Sequence, residues 1–124
     1  MKLRIAGNSL RLRLGRMEVA RLASEGLVEA WVEFGAASHL TYRLLAEERS
    51  GSLHAAFREG VIEVSVPKGV ALAWAHGDDV SLQSDQDTGS GARLTILVEK
   101  DFQCLHRTER EPDAYPNPEG DAIE

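Results

Sequence analysis

Lys2-Leu3-Arg4-Ile5-Ala6-Gly7-Asn8-Ser9-Leu10-Arg11-Leu12-Arg13-Leu14 opens the chain, and its reading decides the rest. Apolar and polar residues alternate on both sides of Gly7-Asn8-Ser9. Alternation with period two marks half-buried strands, and Gly7-Asn8 tolerates the positive φ of a tight hairpin turn. The stretch is therefore read as a hairpin. Leu3, Ile5, Leu10, Leu12 and Leu14 share one face, and Lys2, Arg4, Arg11 and Arg13 share the other.

A similar hairpin recurs half a chain later. Leu53-His54-Ala55-Ala56-Phe57 leads through a Glu59-Gly60 turn to Ile62-Glu63-Val64-Ser65-Val66. Its inward set, Ile62, Val64 and Val66, matches Leu10, Leu12 and Leu14. Each hairpin is followed by a short helical pattern. The first covers residues 16–24 and stops at Gly26; the second covers residues 68–76 and stops at Gly77. Neither is long enough to stand alone, so each must dock on a sheet. A strand pair then closes each unit, at residues 28–34 and 40–44, and at residues 80–82 and 94–98. A small-residue loop separates the first pair and a polar loop, residues 85–91, the second. Leu-Thr recurs at the start of both final strands, as Leu40-Thr41 and Leu94-Thr95.

The order is thus ββαββ twice, over residues 2–46 and 52–99. This predicts a mainly β (α+β) fold, a single barrel-like domain of two ββαββ repeats with two short helices, over residues 1–106. A double-psi-like barrel, also built from duplicated halves, is the alternative.

At 124 residues the chain suits one modest core. No apolar run approaches 18 residues, which argues against a transmembrane helix, and the N-terminus enters an alternating strand rather than a signal peptide. A single cysteine, Cys104, leaves no internal disulfide framework and suits a reducing, cytoplasmic setting. Charge is uneven. Up to Leu22, six cations face Glu18 alone, a balance of +5, so with −6 overall the remainder carries −11. Residues 107–124 form an acidic, Pro-containing tail with few core-forming residues. Tyr115 and Ile123 are its bulky apolar anchors, suited to a partner or to the chain's own barrel.

Two segments resemble the swapped-hairpin barrels of the AbrB and MazE type. Arg4 to Leu14, with Gly7-Asn8-Ser9, resembles the MazE opening. Ile62 to Lys68, followed by Gly77-Asp78-Asp79-Val80, resembles the AbrB core. Gly15 stands where that pattern has Pro, and Gly26-Leu27 replaces the first Gly-Asp pair. The resemblance implies small DNA-binding regulators and antitoxins whose two chains interleave. Here one chain holds both copies. The chain also resembles, across nearly its whole length, a group of uncharacterised bacterial proteins, through segments such as Trp74-Ala75-His76 and Pro116-Asn117-Pro118. That likeness implies a bacterial cytosolic protein and carries no activity.

The basic face of the first hairpin, Lys2, Arg4, Arg11 and Arg13, suits phosphates, a DNA groove or an acidic protein partner. The plainer reading is a solvated face whose arginines pair with Glu29 and Glu33 on a neighbouring strand. The second hairpin has His54, Ala56, Glu63 and Ser65 at the corresponding positions, so the cationic face is not repeated. The net negative charge also opposes non-specific approach to DNA.

Cys104 and His106 suggest a nucleophile or a metal site. In an extended chain their side chains lie roughly 6–7 Å apart, too far for a direct hydrogen bond, and the other histidines form no ligand spacing. His76 fits a helix C-terminus. Gly89-Ser90-Gly91 is a flexible loop without the Lys-Ser or Lys-Thr of a phosphate cradle. Trp31 and Trp74 both sit in apolar patterns and are expected in the core.

The reading that follows is a non-enzymatic interaction module, antitoxin-like or regulator-like, that binds a protein partner. DNA binding through the basic hairpin is the alternative, and a metal site around Cys104 and His106 a weaker one. No catalytic, cofactor or metal residue is assigned, and homo-oligomer formation is left open.

Overall fold

Hairpins and helices form where the local pattern places them. In a computed structural model, which describes residues 1–49 and 51–102, the elements run β1 (Lys2–Ala6), β2 (Ser9–Leu14), α1 (Arg16–Glu25), β3 (Leu27–Gly35), β4 (Ser38–Glu47), β5 (His54–Arg58), β6 (Val61–Pro67), α2 (Lys68–His76), β7 (Ser81–Asp87) and β8 (Arg93–Lys100). The class is mainly β with two short helices, as the alternation predicts.

Glycines end both helices for different reasons. Gly26 adopts φ 79, a left-handed conformation, and its N–H caps Leu22 O at 2.9 Å. Gly77 is extended, but a Cβ there would stand 2.7 Å from Ala73 O, so a side chain would force the helix end apart.

The halves exchange hairpins. One sheet has the order β1-β2-β8-β7 and the other β3-β4-β6-β5. Each sheet therefore joins one hairpin from each half through a parallel pair, β2 with β8 and β4 with β6. The registers correspond: Leu12 lies opposite Val98, and Val64 opposite Leu44. Linking bonds repeat too. Thr41 N–H donates to Gly60 O at 2.9 Å, and Thr95 N–H to Asn8 O at 3.1 Å. The recurrent Leu-Thr thus marks where each final strand receives the other half's turn.

Inward residues of both sheets form one core. Leu12, Leu14, Val64 and Val66 are buried, with Leu44, Val98 and Ile96 from the partner strands. Helices α1 and α2 pack together and add Leu22 and Trp74 to it. The sheets do not close into a barrel. At one seam β5 and β7 touch, yet their backbones are not paired; side chains bridge them instead.

Strand β7 runs further than residues 80–82, taking in the stretch that reads as the start of a polar loop. Its inward positions, Ser84 and Gln86, are polar because they serve that seam. Ser84 Oγ donates to Leu53 O at 2.7 Å. The Gln86 amide accepts from Ala55 N–H at 2.7 Å and donates to Ala55 O at 2.8 Å, standing in for the peptide group of a neighbouring strand. Buried backbone groups need such partners, and a hydrophobic pattern carries no sign of them.

Candidate functional site

Alternation does place Lys2, Arg4, Arg11 and Arg13 on one outer face, because Lys2 lies opposite Arg13 and Arg4 opposite Arg11 in the β1–β2 ladder. The counter-ions of Lys2, Arg11 and Arg13 are not Glu29 and Glu33. Arg13 Nε donates to Glu99 Oε2 at 2.8 Å, and Arg11 Nε lies 3.8 Å from the same oxygen. Lys2 Nζ lies 3.0 Å from Asp101 Oδ2, and Arg4 is also partnered. The parallel pairing of β2 with β8 sets Arg13 beside Glu99 and makes these contacts. Glu29 instead pairs with Arg43 of β4: its Oε2 is 3.0 Å from Nε, a charge contact without an aligned hydrogen bond. Arg43 also meets Glu63 Oε1 at 3.4 Å. The basic face is therefore partnered across the sheet, with Glu99 of β8 and Asp101 just beyond it as carboxylates.

The two tryptophans part company. Trp74 is 1% exposed and its Nε1–H donates to Val80 O at 3.1 Å, with Lys100 Nζ 5.5 Å from the ring centroid. Trp31 is 64% exposed, contrary to its expected place in the core. It lies between Glu29 and Glu33 on the outer face of β3, beside a groove of about 350 Å³ shared with His39, Thr41 and Arg43. The signal was present in the sequence. Glu29, Trp31 and Glu33 are two apart and share a face, and an acidic face of an antiparallel pair turns toward water.

Opposite the helices, the hairpin turns gather at an open end. Ile5, Val32, Phe34 and Phe57 follow the inward parity of their strands yet remain exposed. A cavity of about 430 Å³ at this end is lined chiefly by Ile5, Leu10, Leu40, Phe57, Ile62 and Leu94. The inward stripes extend past the point where the facing sheet covers them. Sequence alternation identified these residues as inward, but not as uncovered.

Around Glu18 the structure anchors the start of β1. Its carboxylate accepts from Gly15 N–H at 2.9 Å and pairs with the Met1 ammonium. Burial pushes the Glu18 carboxyl up, but the ammonium and the Gly15 N–H outweigh it and hold its pKa below the ordinary value. Tyr42 Oη donates to Met1 O at 3.0 Å.

Cys104, His106, Tyr115 and Ile123 lie outside the described residues. Among the described residues no three His, Cys, Asp or Glu gather as metal ligands, and no helix is long and apolar enough to cross a membrane.

A family model with the description Family of unknown function (DUF7009) matches residues 1–119, and the chain belongs to that family. No curated protein and no solved structure matches the chain.

Proposed function

We propose that this member of a family of unknown function is a non-enzymatic interaction module that binds a protein partner, antitoxin-like or regulator-like in kind. The observation that carries the reading is the open end. Ile5 and Phe57 line an apolar cavity there and are each more than half exposed, and Phe34 is exposed next to the β3–β4 turn. Contiguous exposed apolar surface marks interaction sites in soluble proteins, and aromatic anchors supply most of the energy of such contacts. The exchange of hairpins between the halves supports the likeness to swapped-hairpin regulators. The acidic tail, with Tyr115 and Ile123, offers a second contact. The role of Lys2, Arg4, Arg11 and Arg13 in DNA binding has less support, since Arg11 and Arg13 share Glu99 and DNA would have to displace that carboxylate.

Panning a peptide-display library on the purified chain tests the reading. The wild-type chain should enrich clones that a Phe34→Ser/Phe57→Ser variant does not. Identical enrichment on both would sink the proposal. Salt-sensitive retention of duplex DNA, lost in Arg11→Ala/Arg13→Ala, would favour the DNA reading instead.

A further inference from the structure

The repeat of the fold gives the molecule two equivalent seams, and among the described residues side chains of the facing edge strand bridge only one. By register, Gln86 and Ser84 of β7 correspond to Val32 and Ala30 of β3, since Gln86 lies opposite Leu94 and Val32 opposite Leu40. Ala55 of β5 likewise corresponds to Leu3 of β1, opposite Val64 and Leu12 respectively. Ala55 gives its N–H and C=O to the Gln86 amide. Leu3 has Val32 in that place, which has neither donor nor acceptor. Strands β1 and β3 are both sheet edges, and exposed edges recruit further strands.

The geometry points to this seam as a self-association surface, on which β1 of one copy pairs with β3 of a second copy, and β3 with the second copy's β1, about a two-fold axis. Charge selects that pairing over its rivals. The outer face of β1 carries Lys2, beside Asp101 of its own copy, and Arg4, also partnered. That of β3 carries Glu29, beside Arg43, with Trp31 and Glu33, so a second copy would share these charges rather than meet bare ones. An antiparallel β3–β3 pair centred on Trp31 would set Glu29 against Glu33, and a β1–β1 pair would set cation against cation. Directly opposed like charges destabilise a ladder, whereas opposite charges support it. In the crossed pairing, strand periodicity brings Lys2 and Arg4 of one copy to the carboxylates and the exposed Trp31 ring of the other. Arg over an indole face adds a further attraction. Leu3 and Ile5 then continue the inner face of Ala30 and Val32. Both contacts form at once because the interface is isologous. This surface adjoins the open turn end, sharing Ile5 and Val32 with it, but does not rest on the reading given for it.

Sedimentation of the purified full chain over a concentration series tests the proposal. The wild-type chain should form a reversible dimer. Lys2→Glu/Arg4→Glu and Glu29→Lys/Glu33→Lys should each be monomeric with unchanged far-ultraviolet circular dichroism. Mixed in equal amounts they should restore a dimer with one of each, since every crossed contact is then attractive. A monomeric wild type, a dimer that survives either reversal, or a mixture that stays monomeric would each overturn the pairing. Should a reversal variant fail to fold, Val32→Gln decides the matter. It offers Leu3 an amide within its own chain and should weaken the dimer by about tenfold, the factor for one net hydrogen bond. An undiminished dimer would refute the proposal.

Discussion

The β5/β7 seam and the β1/β3 seam sit at equivalent places in the repeat, yet they solve the same problem differently. Both must satisfy backbone groups at a sheet edge. The first uses side chains: Ser84 takes Leu53 O and Gln86 takes both polar groups of Ala55. The second has alanine and valine at those positions. Among the described residues its corresponding bond comes from another strand, with Tyr42 Oη reaching Met1 O, the carbonyl equivalent to that of Leu53. Tyr42 itself corresponds to Ile96. The lesson is that a repeated core imposes repeated edges but does not dictate how they are closed. Closure is where two similar halves diverge in what they leave available.

Removing the bridge should have the largest effect. Gln86→Val makes the first seam like the second and leaves Ala55 N–H and C=O without partners. It should cost ~2 kcal/mol, read by denaturant unfolding, because unsatisfied buried groups are expensive. A change within ~0.5 kcal/mol would show that water replaces the amide freely. Next, Tyr42→Phe cuts the one hydroxyl bond to Met1 and should cost ~1 kcal/mol, with faster amide exchange in β1 than in β5.

The anchoring of β1 by Glu18 has a pH signature. Its pKa is held low in the folded chain, so its contribution is present above the ordinary carboxylate range and is lost as pH falls through the folded pKa. Glu18→Gln should therefore lower stability by about 0.5–1 kcal/mol at neutral pH, and the difference from wild type should shrink in acid. A difference that holds constant down to strongly acidic pH would remove the ion pair from the account. The smallest effect belongs to the converse exchange. Val32→Gln should change stability by less than ~1 kcal/mol in the stabilising direction. A marked loss in thermal denaturation would mean that Val32 is packed rather than idle at its edge.

Much of this was legible in the residues. Leu10-x-Leu12-x-Leu14 and Ile62-x-Val64-x-Val66 specify strands and their faces, and Gly26 and Gly77 specify where the helices stop. Part of the candidate surface was legible as well. Phe57 and Ile5 follow the inward parity, and Glu29-x-Trp31-x-Glu33 implies a tryptophan turned outward, although the surrounding apolar residues suggest a buried one. The polar inward positions of β7 were not legible, because Ser84 and Gln86 look like loop residues until β5 stands beside them.

The sequence by itself determined the local elements, the inward faces and the order ββαββ repeated twice, because each rests on neighbours a few residues apart. Tertiary structure alone decided which strands pair. That choice made Glu99, 86 residues from Arg13, its counter-ion in place of Glu29 and Glu33. It also buried Trp74, and it let the facing edge strand bridge one seam and not the other. The physical reason is common to all three. A side chain's face follows from strand periodicity, but its partner follows from long-range pairing, and alternation is blind to which strand lies alongside.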